Sequence, residues 1–268
     1  MDEYIEKLND YCKEHNIEPD QYVTKVKNYF ELGKQIDLTD QQIIQRLGTV
    51  EELVNTEQKD YVITVKDDDQ MNFDKPELSI EMPFDVDVII ESNNNNEVSI
   101  DYDDDKLSNY IQLSVSKKAI DLSAKGAHLK NIDGQITLSL PDNLSYKSVR
   151  ISTVSSDIDC DDYGFICDKF KLESVSGDCN FKFIKAEDVS FDIVSSDTTV
   201  ENLDCQYCKL NSVDGDITIE KSIIDHLKVN TVSGDVNVDG QIANSSSDTI
   251  SGDIYINGEK KKISFPFR

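Results

Sequence analysis

Ser212-Val213-Asp214-Gly215-Asp216-Ile217-Thr218-Ile219 is followed 19 residues later by Thr231-Val232-Ser233-Gly234-Asp235-Val236-Asn237-Val238. The same turn recurs as Ser155-Ser156-Asp157, Ser176-Gly177-Asp178, Ser195-Ser196-Asp197 and Ser251-Gly252-Asp253, so successive turn aspartates lie 21, 19, 19, 19 and 18 residues apart. Self-similarity at this period marks one supersecondary unit stacked on copies of itself. Apolar residues keep fixed offsets from each aspartate. One residue after it stand Ile158, Cys179, Thr198, Ile217, Val236 and Ile254, and three after stand Cys160, Phe181, Val200, Ile219, Val238 and Ile256. Three before it stand Val154, Val175, Val194, Val213, Val232 and Ile250. The minus-six and minus-eight positions hold Ile151 and Val149, Leu172 and Phe170, Phe191 and Val189, Leu210 and Cys208, Val229 and Leu227, ending in Ser247 and Ser245. Strand periodicity of two puts plus-one with plus-three, and minus-six with minus-eight, on inward faces.

One such coil, at ~3.3 Å per residue, is long enough for two or three strands around an apolar interior, with like strands of successive coils parallel and ~4.8 Å apart. The predicted fold is mainly β, with a small α-helical N-terminal domain. Its body is a parallel β-helix, or β-solenoid, of about six ~19-residue coils capped by a strand-rich segment. Residues 76–148 supply that strand-rich N-terminal part through the alternating runs Leu78, Ile80, Met82; Val86, Val88, Ile90; Val98, Ile100, Tyr102; Ile111, Leu113, Val115; and Ile136, Leu138, Leu140. Residues 149–268 form the repeat solenoid with its C-terminal cap. There Gly258, the lysine run 260–262 and Ile263 to Phe267 discourage further strand addition.

Residues 1–56 read differently. Ile5, Leu8 and Cys12, flanked by Tyr4 and Tyr11, fall at helical spacing, as do Tyr22, Val23, Val26, Tyr29 and Phe30 after Pro19. Gly33 sits where a C-terminal cap belongs. Thr39 with Gln42, ahead of Ile43, Ile44 and Leu47, makes a capping box closed by Gly48, and Thr49 with Glu52 makes another ahead of Leu53 and Val54. Four such helices bury only a small core, which favours docking or oligomerisation. This head holds 12 acidic against 6 basic residues, the wrong sign for a helix pressed into a DNA groove. A polar linker, residues 57–75, with one short strand from Tyr61 to Val65, separates it from the β region.

The chain of 268 residues has a formal net charge of -26, which argues against direct nucleic-acid binding and suits cations or a basic partner. No apolar run reaches the ~20 residues that span a bilayer, and the acidic N-terminus lacks the pattern of a secretory signal. These features predict a cytoplasmic or peripherally membrane-associated protein, with the cell surface as the alternative. Six cysteines, without a signal peptide, do not make a disulfide framework. Cys205 and Cys208 have CxxC spacing but no companion ligands, and with Cys160 and Cys179 they occupy apolar repeat positions, as small buried hydrophobes would. His15, His128 and His226 have no serine or cysteine partner at a recommending distance, and no phosphate or dinucleotide fingerprint exists. No catalytic, cofactor-binding or metal-binding residue is assigned and no cofactor is expected. The turn ladder Asp157, Asp178, Asp197, Asp216, Asp235 and Asp253 is read as repeated turn capping, with a row of cations as its alternative. Asp103 to Asp105 read as a polar loop.

Residues 149–256, with TVSSDI, SVSGDC, SVDGDI, TVSGDV and TISGDI, resemble the bacterial putative-adhesin family of β-strand repeat proteins, as does ITLSLPDNLSYKSVRIS at 136–152. The head, with YIEKLNDYC at 4–12 and QQIIQRLGTVEELV at 41–54, resembles the helical HAAS signalling domain associated with PadR-type regulators, although Val50 replaces the proline common there. These resemblances imply a right-handed β-solenoid and a role at the bacterial cell envelope or in its stress signalling. They carry over no catalytic residue. The expected function is a non-enzymatic scaffold, in which the helical head contacts a protein partner (a PadR-type regulator or a second copy) and the acidic solenoid presents a binding surface. The alternatives are a surface adhesin or envelope sensor binding a basic peptide or glycan, and a carbohydrate-active β-helix enzyme.

Overall fold

In this computed structural model the described residues are 1–15, 73–93, 97–125, 132–142 and 144–261, with single positions between 19 and 50. The expected caps at Gly33, Gln42 and Gly48, residues Glu52, Leu53 and Val54 of the head's last helix, the strand Tyr61 to Val65 and the tail Ile263 to Phe267 lie outside them. The chain divides into two compact units, Met1–Tyr61 and Val62–Arg268.

In the first unit, α1 (Asp2–Glu14) buries Tyr4, Leu8 and Cys12, spaced four apart so that they share one helix face. They pack in one cluster with Val26, Phe30 and Ile43, which also lie on helical residues, while Ile5 stays half-buried at the margin.

The second unit is the predicted solenoid. Its strands are β1 (Glu77–Met82), β2 (Asp85–Asn93), β3 (Ser99–Tyr102), β4 (Ile111–Val115), β5 (Ala119–Ala124), β6 (Asp133–Pro141), β7 (Ser145–Thr153), β8 (Ile158–Ser174), β9 (Cys179–Ile193), β10 (Thr198–Ser212), β11 (Ile217–Thr231), β12 (Val236–Thr249), β13 (Ile254–Ile256) and β14 (Glu259–Lys260). From β7 through β13 each strand pairs in parallel with the next, in the register of the repeat. Thus Thr198 faces both Cys179 and Ile217, and Leu210 faces Phe191 and Val229. The long strands bend. In β9, Cys179 and Phe181 point inward, then Ile184, then Val189, Phe191 and Ile193. The two breaks in alternation are corners and the Val194–Asp197 turn is the third, so each coil has three short faces.

The irregular spacings have local causes. The register shifts between Cys160 and Gly164, where Asp161, Asp162 and Tyr163 lengthen the first coil. It shifts again between Ile219 and Ser222, where β12 is one residue shorter. Inside, Phe165, Phe170, Phe181 and Phe191 stack edge and face with centroids 5.4 to 6.4 Å apart. Such contacts add to the burial of large apolar side chains. Later coils use aliphatic residues and cysteines, and at the last coil Ser245 and Ser247 occupy the core columns and are not buried.

Residues 77–141 extend the stack by two rungs, in an order that differs from the chain. β1 lies between β7 and β5, and β2 between β8 and β6, all parallel. β4 on β5 and β3 on β6 are antiparallel and form the cap at that end. At the other end β14 turns back antiparallel on β13 through Asn257 and Gly258, both at positive φ.

The minus-three column faces outward: Val154, Val175, Val194, Val213, Val232 and Ile250 are 41 to 65% exposed. Where the chain leaves one face for the next, a side chain on the outside of the bend has neighbours only above and below. A buried hydroxyl column lies one position earlier. Thr153, Ser212, Thr231 and Thr249 each donate to the carbonyl three residues on, the last two at 2.7 and 3.0 Å, bracing the turn from within.

Candidate functional site

Two sets of outward columns carry polar chemistry. The first is the turn ladder. Asp157 Oδ1 accepts the backbone N–H of Asp178 at 2.7 Å, Asp197 that of Asp216 at 2.9 Å, Asp216 that of Asp235 at 2.7 Å, and Asp235 that of Asp253 at 2.8 Å. These four carboxylates therefore bind the coil above rather than their own turns, a charge-assisted bond that offsets the repulsion of stacked acids, whereas Asp178 takes part through its backbone N–H. Asp87 starts the ladder one rung earlier, accepting the Asp157 N–H at 3.0 Å. Burial pushes the Asp87 carboxyl up and that bond opposes the rise, while the charges of Asp157, Asp85 and Asp103 add to it. At the other end Lys260 holds the Asp253 carboxyl below the usual carboxylate range. Among the described residues no group of three or more histidine, cysteine, aspartate or glutamate side chains is placed to hold a metal ion. Cys160, Cys167, Cys179, Cys205 and Cys208 are free thiols buried in the solenoid. Burial raises the Cys160 thiol, and a hydrogen bond with Cys205 together with burial raises Cys208.

The second set lies on the face between minus nine and minus five. Because minus eight and minus six point inward, minus nine, minus seven and minus five must point out. The minus-nine column reads Lys169, Asp188, Tyr207, His226, Asn244 and the minus-seven column Arg150, Lys171, Ser190, Lys209, Lys228, Ser246, all in register. All of these but Arg150 line a groove of about 630 Å³. Tyr207 and His226 stack with ring centroids 5.1 Å apart and planes 11° from parallel, and Tyr207 is 54% exposed.

The cations here fall into two groups. Arg150 meets Glu173 at 2.8 Å, and Lys171 meets Glu173 at 2.8 Å and Asp192 at 3.9 Å. These contacts hold the Glu173 carboxyl down, the bond from Lys171 first. Among the described residues, by contrast, Lys169, Lys209 and Lys228 have no carboxylate within ion-pair distance. Beside Lys209 and Lys228 the minus-five column switches from acids to Asn211 and Asn230. There the Asn230 amide donates to Asn211 Oδ1 at 2.8 Å and the Asn211 amide to Asp192 Oδ1 at 2.6 Å.

The sequence reading left His226 isolated and named none of these lysines. The signal was present: Tyr207 and His226 stand at the same offset from Asp216 and Asp235, as do Lys209 and Lys228. Repeat offset, not linear spacing, decides which residues are neighbours in a solenoid.

Comparison with known proteins places the chain. Among solved structures it is similar to a putative lipid binding protein from Parabacteroides distasonis (16% identity, 74% of this chain and 94% of that one, TM-score 0.37). It is also similar to a putative adhesin from the same species (15%, 74% and 95%, TM-score 0.43) and to a putative cell adhesion protein from Clostridium sporogenes (12%, 73% and 100%, TM-score 0.32). No curated protein matches it. The model of the Toastrack DUF4097 family matches residues 49–266, and the chain belongs to that family.

Proposed function

We propose that this is a non-enzymatic binding protein of the bacterial cell envelope or its signalling, and that its ligand surface is the groove face of the solenoid. The observation that carries this reading is the pair Lys209 and Lys228, with no carboxylate of the described residues within ion-pair distance, beside the Tyr207–His226 stack. In a chain with 53 acids and 27 bases, unpaired lysines on adjacent rungs repel each other without an internal counter-charge. A ligand that supplies the missing anion relieves that repulsion. The columns are fixed by backbone ladders on both sides, so the groups are held in place before binding.

The helical head is assigned to partner contact, as a HAAS-like module with a PadR-type regulator or a second copy as its partner. Its net charge of -6 over residues 1–56 favours a basic partner surface. Among the described residues no helix is long and apolar enough to cross a membrane. An intracellular or membrane-peripheral scaffold is the first reading. A surface adhesin or sensor is the second, and protease protection in intact cells separates the two.

The binding reading is tested by cosedimentation of the full chain with envelopes from its own cells. Wild-type protein is expected to cosediment and the K209E/K228E variant to remain in the supernatant. The K182E/K185E variant, which makes the same charge change on other faces, should behave as wild type. Equal behaviour of all three refutes the assignment of this face.

A further inference from the structure

Resting on the groove as the binding surface, we infer that its ligand is a sugar acid: a carbohydrate chain whose carboxylates are spaced by neutral, hydroxyl-bearing rings. Three features of the face select this chemistry together. Lys209 and Lys228 are register partners on strands ~4.8 Å apart, and no acid of the described residues lies within ion-pair distance of either. That geometry matches one carboxylate bridged by two ammonium groups. Beside them the stacked Tyr207 and His226 rings leave their outer faces over rungs with shorter side chains, Asp188 on one side and Asn244 on the other. An aromatic face next to a short neighbour accepts the apolar face of a pyranose ring, as aromatic side chains accept other flat apolar groups. On the third side Asn211 and Asn230 form an amide ladder. Amides offer both donors and acceptors to hydroxyls, which a carboxylate column could not do.

The surrounding charge argues against the other anionic classes. The cationic pair covers one rung interval, and Asp188 and Asp192 follow on one side and Asp248 on the other. At physiological salt, charges separated by more than ~8 Å are largely screened, so the local pair can act against the chain's overall charge of -26. A dense polyanion such as polyphosphate or a nucleic acid would carry its next charges over those aspartates. An anionic lipid surface would meet Glu173 and Asp192 in the same plane, and because the lining residues Phe170, Val189, Cys208 and Leu227 are buried, Tyr207 is the one described apolar side chain of the groove exposed to it. A chain with spaced carboxylates places one charge on the lysine pair and neutral rings elsewhere.

The test is calorimetric titration of the full chain with oligogalacturonate, its methyl ester, polyphosphate and phosphatidylglycerol vesicles. Each titration is repeated on K209A/K228A, Y207A and K182A/K185A after their thermal unfolding has been shown to match wild type. The expected result is saturable binding of oligogalacturonate, weakened about tenfold or more by methyl esterification, by K209A/K228A and by Y207A. A tenfold change is the loss of about one charge-assisted hydrogen bond. K182A/K185A should not change it. If polyphosphate or vesicles bind as tightly as the uronide and Y207A has no effect, the sugar-acid assignment is overturned while the groove stands as an anion site. If oligogalacturonate does not bind, the assignment is likewise overturned, and the envelope cosedimentation decides separately whether the face binds at all. If K209A/K228A leaves every titration unchanged, both readings fall.

Discussion

Replacing Gly234 with alanine tests whether the turn column holds the coils at their spacing. A Cβ on Gly234 would lie 2.9 Å from the Gly215 carbonyl carbon, closer still to its oxygen, and 3.0 Å from Ser212 Oγ. Backbone of the preceding coil cannot rotate away as a side chain can, so the turn itself must shift. Overpacking of this kind costs about 1–3 kcal/mol. The shift also loosens the Asp235 N–H bond to Asp216 Oδ1 at 2.7 Å and the Thr231 hydroxyl bond to Gly234 at 2.7 Å. The first has a charged acceptor, a class worth about 1.5–3 kcal/mol. We expect a net loss near 3 kcal/mol and a fall in Tm of about 6–12 °C, at ~2–4 °C per kcal/mol for a chain of this size. Gly234→Ser should be the milder change, because Ser156 and Ser196 occupy the same column and donate to Phe84 and Gly177 of the rung before. Urea unfolding followed by far-UV circular dichroism reads both. An alanine variant within about 0.5 kcal/mol of wild type would show that the coils are free to separate locally, and the packing argument would fail.

Thr198 stands at the plus-one core position, and its buried hydroxyl has no hydrogen-bond partner among the described residues. Thr198→Val, the residue type at Val236, should therefore raise stability by about 1 kcal/mol in the same urea assay, and a loss would contradict the assignment. Burial raises the Cys167 thiol from 9.0 to about 12 and the Cys179 thiol from 9.0 to about 11. Since the folded values lie above the unfolded one, this stabilisation is fully present below pH ~9 and is lost as pH rises toward 11–12, at about 1.4 kcal/mol per thiol per pH unit. Unfolding free energy should thus be lower at pH 10 than at pH 8, with a shallower fall in Cys179→Ala; a flat profile would refute it. By the same logic the buried thiols should be inert to a disulfide exchange reagent in the native protein at pH 8 and react on unfolding, and rapid native reaction would contradict their burial.

Much of the solenoid was legible because a repeat states its own alignment. The inward columns beginning at Ile158, Cys160, Ile151 and Val149 are core columns in the structure, and the parallel register follows the turn aspartates. What the alignment could not give is the order of residues 77–141. Alternation marks β1 and β2 as strands, but only pairing energy across the stack decides that they lie between β5–β6 and β7–β8. The exposed valine column shows a second limit. Val154 and its equivalents are as apolar as the core columns, yet a corner residue and a face residue differ only in the direction of a backbone bend. The groove was missed for a third reason. Its residues become informative only when read against the charge of their rung neighbours, and a linear reading of His226 or Lys209 does not compare them with Tyr207 or Lys228.

Stacking in register imposes a general electrostatic problem, and the ways it is met on different columns identify the exceptional one. A charge at one position tends to recur ~4.8 Å away, so each charged column needs a compensating device. On the turn column the device is the backbone N–H of the coil above, accepted by Asp157, Asp197, Asp216 and Asp235. At the start of the minus-seven column it is Glu173, shared by Arg150 and Lys171. On the neighbouring face Lys185 meets Asp204 at 2.7 Å. At Lys209 and Lys228 the described residues supply no such device, and the column that could have done so carries Asn211 and Asn230 instead. Chance placement of acids would be expected to neutralise that pair, since acids outnumber bases 53 to 27. An unneutralised cationic pair, set between an aromatic stack and an amide ladder, is therefore better explained by a ligand than by the fold.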